Sequence, residues 1–247
     1  MRFLLLLIGA LLLPGAAWAD GEPSADGGHV LEQARAAFQA GRHERVVELL
    51  LPLARDVDAN AQYLLAEALL MGDGQDQADA VPWLRRAAAK GHVDAAMKAA
   101  EVFHEGIGTH VDLELSFHYM NQASEAGLPR ARLGVAMYLL AGEGVLQDEA
   151  EAYRRLEELV DVFPYAAFTL GGMQLLTAEN SQDLEPGLIL LDKATRGLMA
   201  EGDTVHAADA FMLMARFAPD HPLTRETERF LNEAVGPSKG GNGGKGL

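Results

Sequence analysis

The sequence predicts an all-α fold, a right-handed superhelical solenoid of about six antiparallel helix pairs. Three recurrences predict it. Gly72, Gly106 and Gly142 each open a Gly-x-Gly pair, closed by Gly74, Gly108 and Gly144. Asp76, Asp112 and Asp148 follow at intervals of 36 residues. Ala61, Ala95 and Ala131 stand eleven residues before the three leading glycines, and Ala87, Ala123 and Leu159 stand eleven after the three aspartates. A period of this length, built from helix-spaced apolar residues and glycine breaks, belongs to arrays whose units bury their faces only against neighbours.

The chain opens with a segment outside that pattern. Arg2 precedes an apolar run from Phe3 to Leu13, Pro14-Gly15 breaks it, and Ala17-Trp18-Ala19 supplies a small-x-small site before Asp20. These features define a secretory signal peptide over residues 1–19, with a run too short to span a bilayer. The mature chain is therefore expected in the periplasm, or secreted, with no stable membrane anchor after cleavage. Residues 20–28 read as a flexible lead-in and residues 29–235 as the helical repeat domain. Residues 236–247 read as a Gly-rich disordered tail carrying Lys239 and Lys245.

Within each unit the first helix carries a small residue at one position: Ala66, Ala100, Ala136 and Gly171. A small side chain there lets a neighbouring helix approach closely. The Gly-x-Gly ends that helix, because glycine takes the left-handed conformation that a helix C-terminus favours. Asp76, Asp112 and Asp148 then begin the second helix as N-caps or first-turn acids. Trp83, Tyr119 and Leu190 are equivalent on the second helix, and Gly91 and Gly127 end two of these helices. A fourth unit opens at Ala166, Leu170 and Gly171 and keeps the Asp183-to-Ala194 spacing, but Thr177-Ala178-Glu179 replaces its glycines. Residues 206–217 and 224–234 read as a last helix pair without glycines, an atypical cap.

The run Ala61-Gln62-Tyr63-Leu64-Leu65-Ala66, then Gly72-x-Gly74, Asp76, Ala80, Trp83, Ala87-Ala88 and Gly91 resembles the Sel-one-like repeat, a relative of the tetratricopeptide repeat. Residues 37–54 resemble the more tetratricopeptide-like first unit of such proteins. The resemblance covers residues 30–160 and continues in degraded form to 200, with departures at Arg155 and Leu159. It implies an exported bacterial family member and a protein-binding scaffold. It also implies that the first helix of each pair lines a concave face. On that face it places Tyr63, Asp94, Met97, Glu101, Arg130, Met137, Tyr165 and Phe168, with Asn60, Glu67, Leu133 and Gly172 at equivalent positions. Methionines and aromatics suit adaptable or anchoring contacts. The same residues also fit a second reading, in which curvature buries them against adjacent helices.

Chemistry is scarce. No cysteine is present, so thiol nucleophiles and disulfides are both excluded. None of Ser24, Ser116, Ser124, Ser181 and Ser238 lies in a G-x-S-x-G or S-x-x-K sequence, and H-E-x-x-H is absent. His104, Glu105 and His110 fit no metal-ligand spacing and read as solvated loop residues. Asp73, Asp76 and Asp79 lack the rest of a calcium loop. The Gly-x-Gly pairs follow helices and lack a third glycine, unlike a dinucleotide fingerprint. No catalytic residue, metal or cofactor is expected. The net charge of −16, which becomes −17 without Arg2, disfavours nucleic acid and anionic lipid.

The function expected is therefore a periplasmic protein–protein interaction scaffold of an envelope assembly. It would bind a partner peptide or helix, basic or amphipathic, on its concave face. A regulatory or inhibitory subunit of a membrane signalling protein is the alternative. A cell-wall or β-lactam hydrolase is more distant: the Cys-rich members of the family linked to β-lactam hydrolysis carry a disulfide in each repeat, and this chain has no cysteine.

Overall fold

The computed structural model describes residues 25–54 and 58–235. The expected signal peptide, residues 20–24 of the lead-in and the Gly-rich tail lie outside the described residues. Twelve α-helices and no strand occur among the described residues. In chain order they are α1 (Ala25–Gln39), α2 (His43–Ala54), α3 (Ala59–Leu70), α4 (Gly74–Ala89), α5 (Val93–Glu105) and α6 (Leu113–Glu125). They continue with α7 (Pro129–Ala141), α8 (Glu149–Glu157), α9 (Pro164–Thr177), α10 (Leu184–Glu201), α11 (Thr204–Phe217) and α12 (Pro222–Val235). Helix α1 begins inside the stretch expected to be an irregular lead-in. Pro23 and Ser24 stand immediately before it, residue types suited to a helix start.

The described residues form two compact units, divided between Ala152 and Tyr153. In the first, α1 to α7 pack in sequence, each against the next. The landmark alanines Ala61, Ala66, Ala95, Ala100, Ala131, Ala136, Ala87 and Ala123 are all completely buried. The small residues therefore sit where the helices approach most closely. Larger side chains, Leu50, Leu64, Leu65, Leu84 and Met120, fill the space between those contacts. Burying each such side chain contributes about 1.5–3 kcal/mol.

The Gly106–Gly108 and Gly142–Gly144 breaks fall where expected, whereas in the first repeat Met71 caps α3, Gly72 is not left-handed and Gly74 already opens α4. Gly106 and Gly142 take left-handed conformations as C-caps of α5 and α7. In the second and third pairs the second glycine is held against the preceding repeat, whereas Gly74 has open space around it. A Cβ on Gly108 would lie 2.3 Å from the Gln77 carbonyl oxygen near the start of α4. One on Gly144 would lie 1.9 Å from the Leu113 carbonyl oxygen at the start of α6. Both glycines also have positive φ, +64° and +65°. The loop is thus a contact between repeats as well as a turn within one.

The aspartates divide as the loop lengths require. Asp112 and Asp148 accept N-terminal backbone N–H groups of α6 and α8, from Leu115 and Glu151, each at 2.9 Å. In the first unit Gly72 is only four residues from Asp76, against six in the other two. The cap there moves to Asp73, and Asp76 becomes a first-turn acid.

In the second unit α9, α10, α11 and α12 pack together. Gly171 and Gly187 face each other at the α9–α10 crossing, where a Cβ on either would fall within 3.0 Å of the other's carbonyl oxygen. Helix α12 is fastened to α10 by polar contacts: Thr227 donates to Asp192 at 2.7 Å, and Arg196 reaches both Asp192 and Glu226. The atypical last pair spans 204–217 and 222–235, within two residues of the expected bounds.

Candidate partner-binding face

The expected face divides between the two units. In the first unit, α3, α5 and α7 bring Tyr63, Asp94, Met97, Glu101, Arg130 and Met137 to one side. The charges of these residues act on one another: Asp94 and Glu101 on α5 raise the pKa of Tyr63 on α3, and Arg130 on α7 opposes the rise at Glu101. Residues of three successive repeats thus share one electrostatic environment.

Two more residues belong to that environment: Lys98, which the sequence did not single out, and Glu67, which it placed at an equivalent position of the face. Lys98 donates to Glu101 at 2.6 Å, with side chains only 19% and 13% exposed. Glu67, one turn after Tyr63, bonds with the Tyr63 hydroxyl. Burial pushes the Glu67 and Glu101 carboxyls above the ordinary carboxylate range, although Lys98 opposes the rise in both cases. Burial works against the Lys98 ammonium too, but Glu101, Glu67 and Glu105 outweigh it and hold its pKa above the ordinary value. These are partly desolvated charges, for which pairing matters far more than at an open surface.

Tyr63 does not present its ring on an open face. It is buried against His92, with ring centroids 4.5 Å apart, and burial raises its hydroxyl pKa. His92 is the N-cap of α5: its Nδ1 accepts the Ala95 N–H at 3.2 Å. Burial lowers the His92 pKa, which keeps Nδ1 available as an acceptor. Leu133 is buried as well, whereas Asp94, Met97, Glu101, Arg130 and Met137 are half-buried. So the first unit realises both readings of the face. Its tyrosine and leucine are packing residues, and its methionines and charges border solvent.

The second unit carries Tyr165 and Phe168 on α9. Tyr165 is buried, which corrects its expected place as an exposed anchor. Its hydroxyl donates to Asp203 and lies 2.8 Å from His206 Nδ1, while Asp203 and His206 are 2.7 Å apart. Burial pushes the Asp203 carboxyl up, but hydrogen bonds from Tyr165 and from the His206 N–H and ring outweigh it and hold it below the ordinary range. Asp203 also caps α11, so the cluster ties α9 to the start of α11. Phe168 is half-buried.

Of the residues weighed for metal chemistry, Glu105 and His110 are exposed as expected, and His104 is not. His104 is buried rather than solvated, 3.4 Å from Glu143 and edge-on to Tyr138. Its burial follows from its place in the last turn of α5, under the next repeat's glycine loop. Tyr138 bonds to Ser116, and burial raises its pKa to about 12. Among the described residues, no group of three or more His, Asp or Glu could hold a metal ion.

Comparison with known proteins agrees with this architecture. The Sel1 repeat model matches residues 59–92, 93–128 and 129–154. The chain is similar in fold to a Sel1 repeat protein from Oxalobacter formigenes, at 19% identity, a TM-score of 0.66 and coverage of 84% of this chain and 88% of that one. It is also similar to a protective antigen of uropathogenic Escherichia coli strains that displays an SLR fold. That match has 15% identity, a TM-score of 0.59 and coverage of 87% of this chain and 50% of the antigen. No curated protein matches the chain. The first two matched repeats begin where the helix pairs α3–α4 and α5–α6 begin, and residues 59–154 of this chain carry three tandem Sel1 repeats.

Proposed function

We propose that this protein is a non-catalytic scaffold that binds a segment of another protein on the α3–α5–α7 side of its first unit. The observation that carries the reading is the row of half-buried side chains there. Met97 and Met137 offer deformable apolar contact, and Asp94, Lys98, Glu101 and Arg130 offer charge. Methionine and arginine are enriched at protein interfaces, and the remaining charges suit the polar rim of one. The Sel1 repeat supports a scaffold rather than an enzyme. We also place the protein outside the cytoplasm, in the periplasm or secreted. The support is the charged start, short apolar run and Ala-x-Ala site of residues 1–19. Among the described residues no helix is long and apolar enough to cross a membrane.

The test is photo-crosslinking in intact cells that express the chain, with the photoreactive residue at Met97 or, as a control, at the exposed Arg86 of α4. Adducts of defined mass should form from Met97 and not from Arg86. Equal labelling from both positions, or none from Met97, would refute the placement.

A further inference from the structure

We propose that Lys98 holds the place of a partner's cation, so that the α3–α5–α7 face takes a lysine- or arginine-bearing peptide segment which competes with Lys98 for Glu67 and Glu101. The inference rests on the scaffold reading above and names the chemistry of the partner.

The geometry supplies the receptor. Glu67 comes from one repeat and Glu101 from the next; the Lys98 ammonium donates to Glu101 at 2.6 Å, and its charge also acts to lower the pKa of Glu67. Lys98 reaches Glu101 along its own helix at a spacing of three residues. Lysine placed N-terminal to its acid is the weaker orientation of such pairs on a helix. A cation arriving from outside competes with this local pair and, by taking the carboxylates, returns the flexible Lys98 stem to solvent. Glu67, Asp94, Glu101 and Glu105 together exceed the charges of Lys98 and Arg130, so the face stays negative after internal pairing.

The flanks fit the same ligand. Met97 and Met137 border the charged row and are half-buried. The aliphatic stem of a lysine or arginine lies well on such surfaces while its head reaches a carboxylate. An acidic segment would meet Glu67 and Glu101 with like charge. A purely apolar one would complete their desolvation without compensation. The net charge of −16 further favours encounter with a cationic segment.

The test uses the mature chain and a fluorescently labelled amphipathic Lys/Leu peptide, with its Glu/Leu counterpart as reference, in anisotropy titrations at physiological salt. Only the Lys/Leu peptide should bind. Lys98→Gln should tighten it about tenfold, while Lys90→Gln, which removes the same charge from an exposed site, should stay within about twofold. Lys98→Arg should behave as the parent does. Glu67→Gln/Glu101→Gln should weaken binding about tenfold relative to Glu228→Gln/Glu233→Gln, with melting curves confirming that each variant is folded. Equal effects of Lys98→Gln and Lys90→Gln, or of the two double variants, would overturn the proposal, as would no binding of the Lys/Leu peptide. Crosslinking from Met97 without these charge effects would leave the scaffold reading standing. Loss of that crosslink would remove the scaffold reading itself.

Discussion

At the scale of single residues, burial separates side chains that hold the molecule together from those free to meet a partner. Tyr165 and Phe168 stand three residues apart on α9 and differ in this respect. Tyr165 is buried and hydrogen-bonded to the Asp203–His206 pair, while Phe168 is half-buried. Tyr165→Ala should therefore destabilise the fold by about 3 kcal/mol or more in denaturant titration. Tyr165→Phe should cost only about 1 kcal/mol, the worth of the lost hydrogen bond. Phe168→Ala should cost less than half as much as Tyr165→Ala. Equal losses at both positions would show that Phe168 is as much core as Tyr165. The sequence identified both residues as lying on the first-helix side, because helical spacing is local. It left groove and core open, because that distinction depends on His206, 41 residues away. Lys98 and His92 escaped notice for the same reason. Nothing near Lys98 in sequence indicates that Glu67 shares its environment, and a histidine is an uncommon N-cap beside Asp, Asn, Ser and Thr.

At the scale of helices and loops, the spacing of the glycines carried almost all the information. The second and third Gly-x-Gly fall between two helices, while Gly74 of the first already opens α4, and Asp112 and Asp148 cap the helices that follow the other two. What spacing could not reveal is that Gly108 and Gly144 lie against the backbone of the preceding repeat. Gly144 and Gly91 give a direct comparison, since both have positive φ but only Gly144 is crowded. Gly91→Ala should cost about 1 kcal/mol, the conformational penalty alone. Gly144→Ala should cost clearly more, about 2–4 kcal/mol, because Leu113 must also move. Similar melting temperatures for the two variants would show that the loop is not a contact between repeats. The fourth unit was harder to read because its loop lacks glycine. Helix α9 instead runs to Thr177 and ends at Ala178 in extended backbone. Asp183, although at the expected position, makes no capping bond through its side chain.

At the scale of the whole molecule, the all-α repeat architecture followed from periodicity alone, since a regular array repeats its packing rule every time. The two compact units were not foreseen. The boundary between them falls inside α8, a helix that begins at the expected place. Function was less legible than fold, because the same stacking supports surfaces of many chemistries and the partner leaves no mark in the spacing. The central claim is that a partner covers the first-helix side of the first unit. Hydrogen exchange on the mature chain, with and without the partner segment identified by crosslinking, tests it most directly. Binding should slow exchange in α3, α5 and α7 and leave α4 and α6 unchanged. Protection confined to α4 and α6, or to the second unit, would contradict it.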